Sequence, residues 1–242
     1  MDVLAIGAHP DDCELFMGGT LAKLADRGYQ VAIADLTRGD YASRGTAELR
    51  HDEAQRSAAI LGLTKRISLD LGDTRVGLDP AHRTEVVRVL RAERPALVFT
   101  HGADNRHPDH TRTCHLVREA CFLANVAGLD TGQERFRPAA LIEFVGGTIG
   151  PPPPPSFVVP INETFARKME ALRAYKSQFY DPEFIGPDTL LSSKAYFRQI
   201  EAQARHWGSL IAENYGEPFY MRASLALEDP VAHFRKLLGK PA

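Results

Sequence analysis

Cysteine is scarce in this 242-residue chain: Cys13, Cys114 and Cys121 are the whole set. An odd, widely spaced trio without a CxxC pair excludes a disulfide framework and a thiolate zinc site. A charge excess of either sign is also missing, since 29 Lys+Arg face 31 Asp+Glu for a formal net charge of -2. Without a basic surplus the chain lacks the electrostatic footprint of a nucleic-acid binder. No apolar run reaches the roughly 18 residues that a membrane-spanning helix needs. The first ten residues carry no basic segment ahead of an apolar one and end in His9-Pro10, so they do not read as a secretory signal. Together these absences point to a reducing, cytoplasmic setting with neither nucleic acid nor membrane as partner.

What is present is an ordinary globular balance, 44% hydrophobic and 25% charged, which excludes disordered and fibrous classes. A chain of this size buries roughly 70–75% of its unfolded surface, so one core suffices and residues 1–242 read as a single domain. Short apolar runs alternate with amphipathic stretches. Strands are expected at residues 3–7, 31–36, 67–71 and 96–100, and helices at 20–28, 46–61, 85–92 and 111–126. That alternation predicts an α/β fold, a Rossmann-like mostly parallel sheet with helices on both faces. Past residue 135 the pattern changes. Strands at 141–145 and 157–159 flank a rigid proline loop, Pro151 to Pro155, and two helices follow, one capped by Asn162 and one by Ser192 or Ser193.

In parallel sheets ligands collect beyond the carboxyl ends of the strands. Ala8-His9-Pro10-Asp11-Asp12 follows the first strand directly, and Arg106-His107-Pro108-Asp109-His110 follows the fourth. Each places imidazole nitrogen and carboxylate oxygen, donors suited to zinc or ferrous iron, at the same sheet edge. Asp11 and Asp12 could instead only cap a helix, but the second cluster duplicates the chemistry of the first. Three ligands can be drawn from the two segments with one position left open for water, and a carboxylate and a histidine are left over to move protons. His9 and Asp12 can face one point while Asp11 faces another. His107, with Asp109 to orient it, could hold positive charge against an oxyanion. That is the inventory of a hydrolase.

The paired motifs resemble the LmbE-like (PIG-L) family of metal-dependent N-acetylglucosamine deacetylases. The likeness extends to Leu36-Thr37-Arg38-Gly39-Asp40, to Arg50 with Glu53-Ala54, and to Gly208 with Tyr215-Gly216-Glu217-Pro218-Phe219. It implies that His9, Asp12 and His110 are the ligands of a zinc ion, with ferrous iron as an alternative. It makes Asp11 the general base, His107 the group that polarises the amide carbonyl and Asp109 the carboxylate partner of His107. Arg50 matches an arginine that contacts sugar hydroxyls, and Tyr196 is the candidate for a tyrosine that lines such sites. The branch it resembles most deacetylates N-acetylglucosaminyl malate in bacillithiol synthesis and forms cytoplasmic hexamers. N-acetylglucosaminyl inositol and chitobiose are the alternative substrates. Departures lie in the proline run and in Gly216 and Pro218, where the family often carries alanine.

Arg106 has the fork geometry to clamp a substrate carboxylate. Arg38, Asp40 and His101 read as structural, Gly18-Gly19 as a place of close helix approach, and Cys13 as a bystander beside the site. Two rivals share part of the pattern. A non-haem iron oxygenase also uses two histidines and a carboxylate, but the parallel α/β pattern and the spare Asp11 speak against it. A Rossmann-type module that only binds a nucleotide or sugar lacks the phosphate-cradling glycine fingerprint here.

Overall fold

The apolar run Val3-Leu4-Ala5-Ile6-Gly7 has no polar face to turn outward, so it belongs at the centre of a sheet covered on both sides. In the computed structural model, which describes residues 1–148 and 150–235, it does form the central strand. The elements are β1 (Val3–Gly7), α1 (Asp12–Asp26), β2 (Val31–Asp35), α2 (Ala47–Leu61), β3 (Lys65–Ser68), α3 (Pro80–Glu93), β4 (Leu97–His101) and α4 (Pro108–Leu123). Then follow β5 (Ala140–Phe144), β6 (Phe157–Pro160), α5 (Phe165–Arg173), α6 (Lys194–Ser209), β7 (Gly216–Tyr220) and α7 (Pro230–Arg235). Among the described residues the strands make one sheet in the order β3-β2-β1-β4-β5-β7-β6. The first five pair in parallel, and β7 and β6 are added antiparallel. The α/β, mostly parallel architecture expected from the alternation is therefore the one observed. No helix among the described residues is long and apolar enough to cross a membrane.

Strand side chains alternate between faces, so two cores form. Val3 and Ala5 join Met17, Leu21 and Phe99 beneath α1. Leu4 and Ile6 join Val87, Leu90, Leu116 and Val117 beneath α3 and α4. Each fully buried leucine or isoleucine is worth about 1.5–3 kcal/mol. A third cluster, built on Phe165, Leu172, Tyr175 and Phe179, packs α5 and α6 against α2.

Chain order reverses direction at β1: β2 and β3 lie on one side of it, β4 and β5 on the other. The crevice between the carboxyl ends of β1 and β4 is thus the topological switch point, where open α/β sheets bind ligands.

Several boundaries differ from expectation, each for a local reason. The first helix starts at Asp12, not Thr20, and α4 starts at Pro108, not Thr111. Both motifs therefore sit on the first turns of helices rather than in loops. The helix α3 begins at Pro80 under an Asp79 cap that accepts from the peptide N–H groups of Ala81 and His82, the arrangement a helix-starting proline favours. β3 is Lys65–Ser68 rather than 67–71, because Arg66 turns its charge inward. Asn162 does not cap α5; its side chain bridges Glu213 and the Tyr215 N–H. Ser193 does cap α6, through the Tyr196 N–H. β7 lay hidden because Pro218 breaks the rule that proline avoids interior strands.

One buried ion pair ties β7 to α1. The helix is interrupted at Met17 (φ -144°), and the Glu217 carboxylate caps its restart, accepting from the Gly19 and Thr20 N–H groups at 3.0 and 2.7 Å. Lys168 Nζ donates to the same carboxylate at 2.6 Å, and both side chains are buried. Glycine is required at position 19, since a Cβ there would stand 2.7 Å from Ile161. Glu217→Ala strands a buried ammonium and two helix N–H groups. It is expected to lower unfolding stability by about 3–5 kcal/mol in urea titration; a loss below about 1 kcal/mol would show that the pair does not anchor α1.

Candidate metal centre

Glu14, buried two residues into α1, fixes the first turn of that helix. It accepts from Tyr175 Oη at 2.7 Å and Ser57 Oγ at 2.9 Å, and Arg66 pairs with both Glu14 and Asp35. The neighbouring Asp11 adopts φ 111°, ψ -25°. A non-glycine residue there costs of order 1–3 kcal/mol, offset in part by Arg50, which donates to Pro10 O, Gly39 O and Asp11 Oδ2. The kink separates the two carboxylates: Asp12 turns toward the histidines and Asp11 toward Arg50.

His9 Nδ1 lies 3.3 Å from His110 Nε2 and 3.4 Å from Asp12 Oδ2, and His110 Nε2 lies 3.2 Å from Asp12 Oδ1. A tetrahedral ion with ligand bonds of about 2.0–2.1 Å spaces its ligand atoms roughly 3.3 Å apart. The outer ring nitrogens agree. His9 Nε2 faces two acceptors, Asp73 Oδ1 at 3.1 Å and Asp109 Oδ2 at 3.5 Å, so it carries the proton and leaves Nδ1 free as a donor atom. Asn105 settles His110 in the same way. Its Nδ2 donates to Gly146 O and its Oδ1 accepts from the His107 N–H, so Oδ1 also faces His110 Nδ1 at 3.1 Å and holds the proton there. Both imidazoles therefore turn bare nitrogens toward the Asp12 carboxylate, a donor set that fits a divalent ion.

Charge points the same way. Burial opposes ionisation of Asp12, but His110 and His101 hold its carboxyl well below the usual range. Asp73 falls to about 2 against the pull of burial, through its bonds to His9, and Asp109 is lowered likewise. His9, although buried, is raised well above its ordinary value by Asp109, Asp12 and Asp73. The carboxylates thus favour positive charge at His9, the charge that a bound ion would replace. Asp11 alone goes the other way: burial pushes it up to about 8, with Arg50 pulling down and Asp12 adding to the rise.

His107 caps α4, its Nδ1 accepting the Asp109 peptide N–H at 3.2 Å. That bond leaves the ring's proton on Nε2, and burial with the nearby His9 and His110 lowers its pKa. The short contacts of the Asp109 carboxylate are to His9 and the Thr74 N–H, and its charge also bears on the His107 ring without a hydrogen bond to it. The cause is helix geometry, since a capping histidine turns toward the peptide N–H groups of the first turn. His101 is buried behind Asp12, driven down to about 3 by burial, and its ring stacks on His110 at 4.0 Å between centroids. Cys13 is raised well above its ordinary pKa by burial, and Cys114 and Cys121 are pushed up to about 12, so none is a thiolate near neutrality.

A pocket of about 340 Å³ opens over the cluster. Asp11, His107, Arg106 and Tyr196 all line it, as does Arg50, whose Nη1 and Nη2 are already engaged. Among the described residues the Arg106 guanidinium has no hydrogen bond or ion pair, and its charge bears on the half-buried Tyr196 hydroxyl. Asp73 and Asn105 were missed in the sequence. Gly72-Asp73 does follow the third predicted strand, which was the available signal; Asn105 offered none.

A profile of the PIG-L family, described as GlcNAc-PI de-N-acetylase, matches residues 4–121, the span that carries both motifs. The chain is 33% identical over 237 residues to the diacetylchitobiose deacetylase of Thermococcus kodakarensis, covering 89% of this chain and 80% of that protein. It is 28% identical over 190 residues to a probable N-acetyl-α-D-glucosaminyl L-malate deacetylase 2 of Bacillus anthracis, covering 73% of this chain and 81% of that protein. Among solved structures, the conserved protein TT1542 of Thermus thermophilus superimposes with a TM-score of 0.84 at 34% identity, over 94% of this chain and 98% of that one.

Because protons and metal compete for His9, whose pKa is raised well above its ordinary value, zinc affinity is expected to rise with pH through and beyond neutrality, with protons released on binding. Chelator competition at several pH values measures it. An affinity independent of pH would contradict the proposed ligand set.

Proposed function

The chain belongs to the GlcNAc-PI de-N-acetylase (PIG-L) family, and from that premise we propose that it hydrolyses the N-acetyl amide of an N-acetylglucosamine conjugate, releasing acetate and a free amine. The observation that carries this reading is the approach of His9 Nδ1 and His110 Nε2 to each other and to the two Asp12 oxygens, with Asp11 and His107 lining the same pocket. His9, Asp12 and His110 would hold the metal, zinc or ferrous iron. When bound, such an ion acidifies water and polarises a carbonyl.

The protein's own groups do the rest. Asp11 stands free of the ligand set with a carboxyl pushed up to about 8, so its ionised form, which grows with pH, takes a proton from water and surrenders it to the leaving nitrogen. Arg50 fixes its direction. His107 acts as a neutral donor: its Nε2–H points charge-stabilising hydrogen bonding at the carbonyl oxygen as that oxygen gains charge. A positively charged His107 fits less well, because a proton on Nδ1 would oppose the Asp109 N–H. Asp109 supports this reading from behind His9, while its charge also bears on His107.

The unpaired Arg106 beside Tyr196 favours an anionic aglycone, and the malyl conjugate is the reading we carry forward. Diacetylchitobiose is the second reading, favoured by the 33% identical relative. The Asp35 carboxylate at the end of β2, where a dinucleotide-binding Rossmann unit keeps an acid for the ribose, is buried and paired bidentately with Arg66 at 2.7 and 2.8 Å, which speaks against the nucleotide-binding rival.

Asp11→Asn should keep bound metal yet lose at least about a hundredfold in kcat for acetate release; near-parental turnover would end the assignment. Arg50→Met removes the main cation that lowers Asp11, so the acid limb of the kcat/KM profile should move to higher pH. An unmoved limb would exclude Asp11 as the titrating base. Across a panel of malyl, inositol and chitobiose substrates, Arg106→Ala should raise KM for the malyl conjugate alone. An equal effect on all three would remove the anion clamp.

A further inference from the structure

His9 Nε2 is approached by two buried carboxylates, Asp73 Oδ1 at 3.1 Å and Asp109 Oδ2 at 3.5 Å. Each carboxylate is itself braced. Asp73 Oδ2 accepts the Tyr41 N–H at 2.9 Å, and Asp109 Oδ2 accepts the Thr74 N–H at 2.7 Å. Arg112 stands 3.6 Å from the other Asp109 oxygen. The turn that supplies Asp73 and the Thr74 N–H is conformationally demanding. Gly72 lies at φ 83° and Thr74, a β-branched residue, at φ 64°, a region that such side chains rarely enter. Backbone of this kind persists where its surroundings over-determine it, and here those surroundings are His9 and Asp109. Asp109 is fully buried and does not line the pocket, so it has no route to substrate.

We propose that Asp73 and Asp109 are positioning residues for the metal centre, clamping His9 through its Nε2–H, with the turn over residues 72–75 as their brace. The proposal rests on the metal-hydrolase reading above. An imidazole whose outer N–H is held by carboxylate is fixed in one tautomer and one orientation, and its inner nitrogen is the more basic donor for it. Losing such a partner weakens metal binding by about 10- to 100-fold. This gives Asp109 a task in metal retention beside its charge interaction with His107.

The test is titration of metal-free protein with Zn²⁺ against a chromogenic chelator. Asp73→Asn and Asp109→Asn, which keep an acceptor oxygen but remove the anion, should each weaken Zn²⁺ binding about 10- to 100-fold. At saturating Zn²⁺ the Asp109→Asn chain should recover the parental KM. Zn²⁺ affinity within about twofold of the parent in both variants would overturn the clamp. So would an Asp109→Asn chain of parental affinity whose loss of kcat is not deepened by His107→Ala. If His110→Ala binds Zn²⁺ like the parent, the metal site falls and the clamp with it; binding lost there but intact in the two aspartate variants brings down the clamp alone. A measurement that needs no variant is nitrogen-15 NMR of the Zn²⁺-loaded parent. The clamp requires the His9 proton on Nε2, and a proton on Nδ1 refutes it.

Discussion

Buried negative charge at the carboxyl ends of β1 and β4 is the constraint on which the rest of the structure depends. Asp11, Asp12, Asp73 and Asp109 are all buried around His9, and burying unpaired carboxylates is prohibitively costly. The molecule answers in two ways. Asp12, Asp73 and Asp109 are kept ionised by histidines, while Asp11 is allowed to retain its proton until about pH 8. The result is a site that favours positive charge at one point and offers a base beside it.

The fold supplies this arrangement economically. Each motif is a strand end followed by the first turn of a helix, so the positive ends of α1 and α4 face the same carboxylates and favour their charge. Placing β1 and β4 side by side at the switch point brings residues 9–12 within contact of residues 107–110. The antiparallel addition of β7 and β6 is not remote from this chemistry. Glu217 and Lys168 brace the restart of α1 after its break at Met17, and the turn of α1 ahead of that break carries Asp12.

Much of this was legible in the sequence, for physical reasons. Buried parallel strands are unbroken apolar runs, so β1, β2 and β4 were read to within a residue. The two His-Pro-Asp segments announce themselves by density of ligand atoms. What escaped had no such density or contradicted a local rule. Asp73 is a single carboxylate after an edge strand, recognisable only once its partner His9 is located. Asn105 is an amide, which no charge or period marks. Arg66 reads as solvent-facing until Asp35 and Glu14 are placed around it. Pro218 hides an interior strand, and the partner of Asp109 depends on how His107 caps its helix, a matter of ring direction rather than of spacing.

The charge balance is tested most directly by anomalous diffraction from crystals grown with zinc. It predicts one strong peak within bonding distance of His9 Nδ1, the Asp12 carboxylate and His110 Nε2, with Asp11 unbound. A peak ligated by other residues, or no peak at a zinc concentration that supports deacetylation, would contradict it.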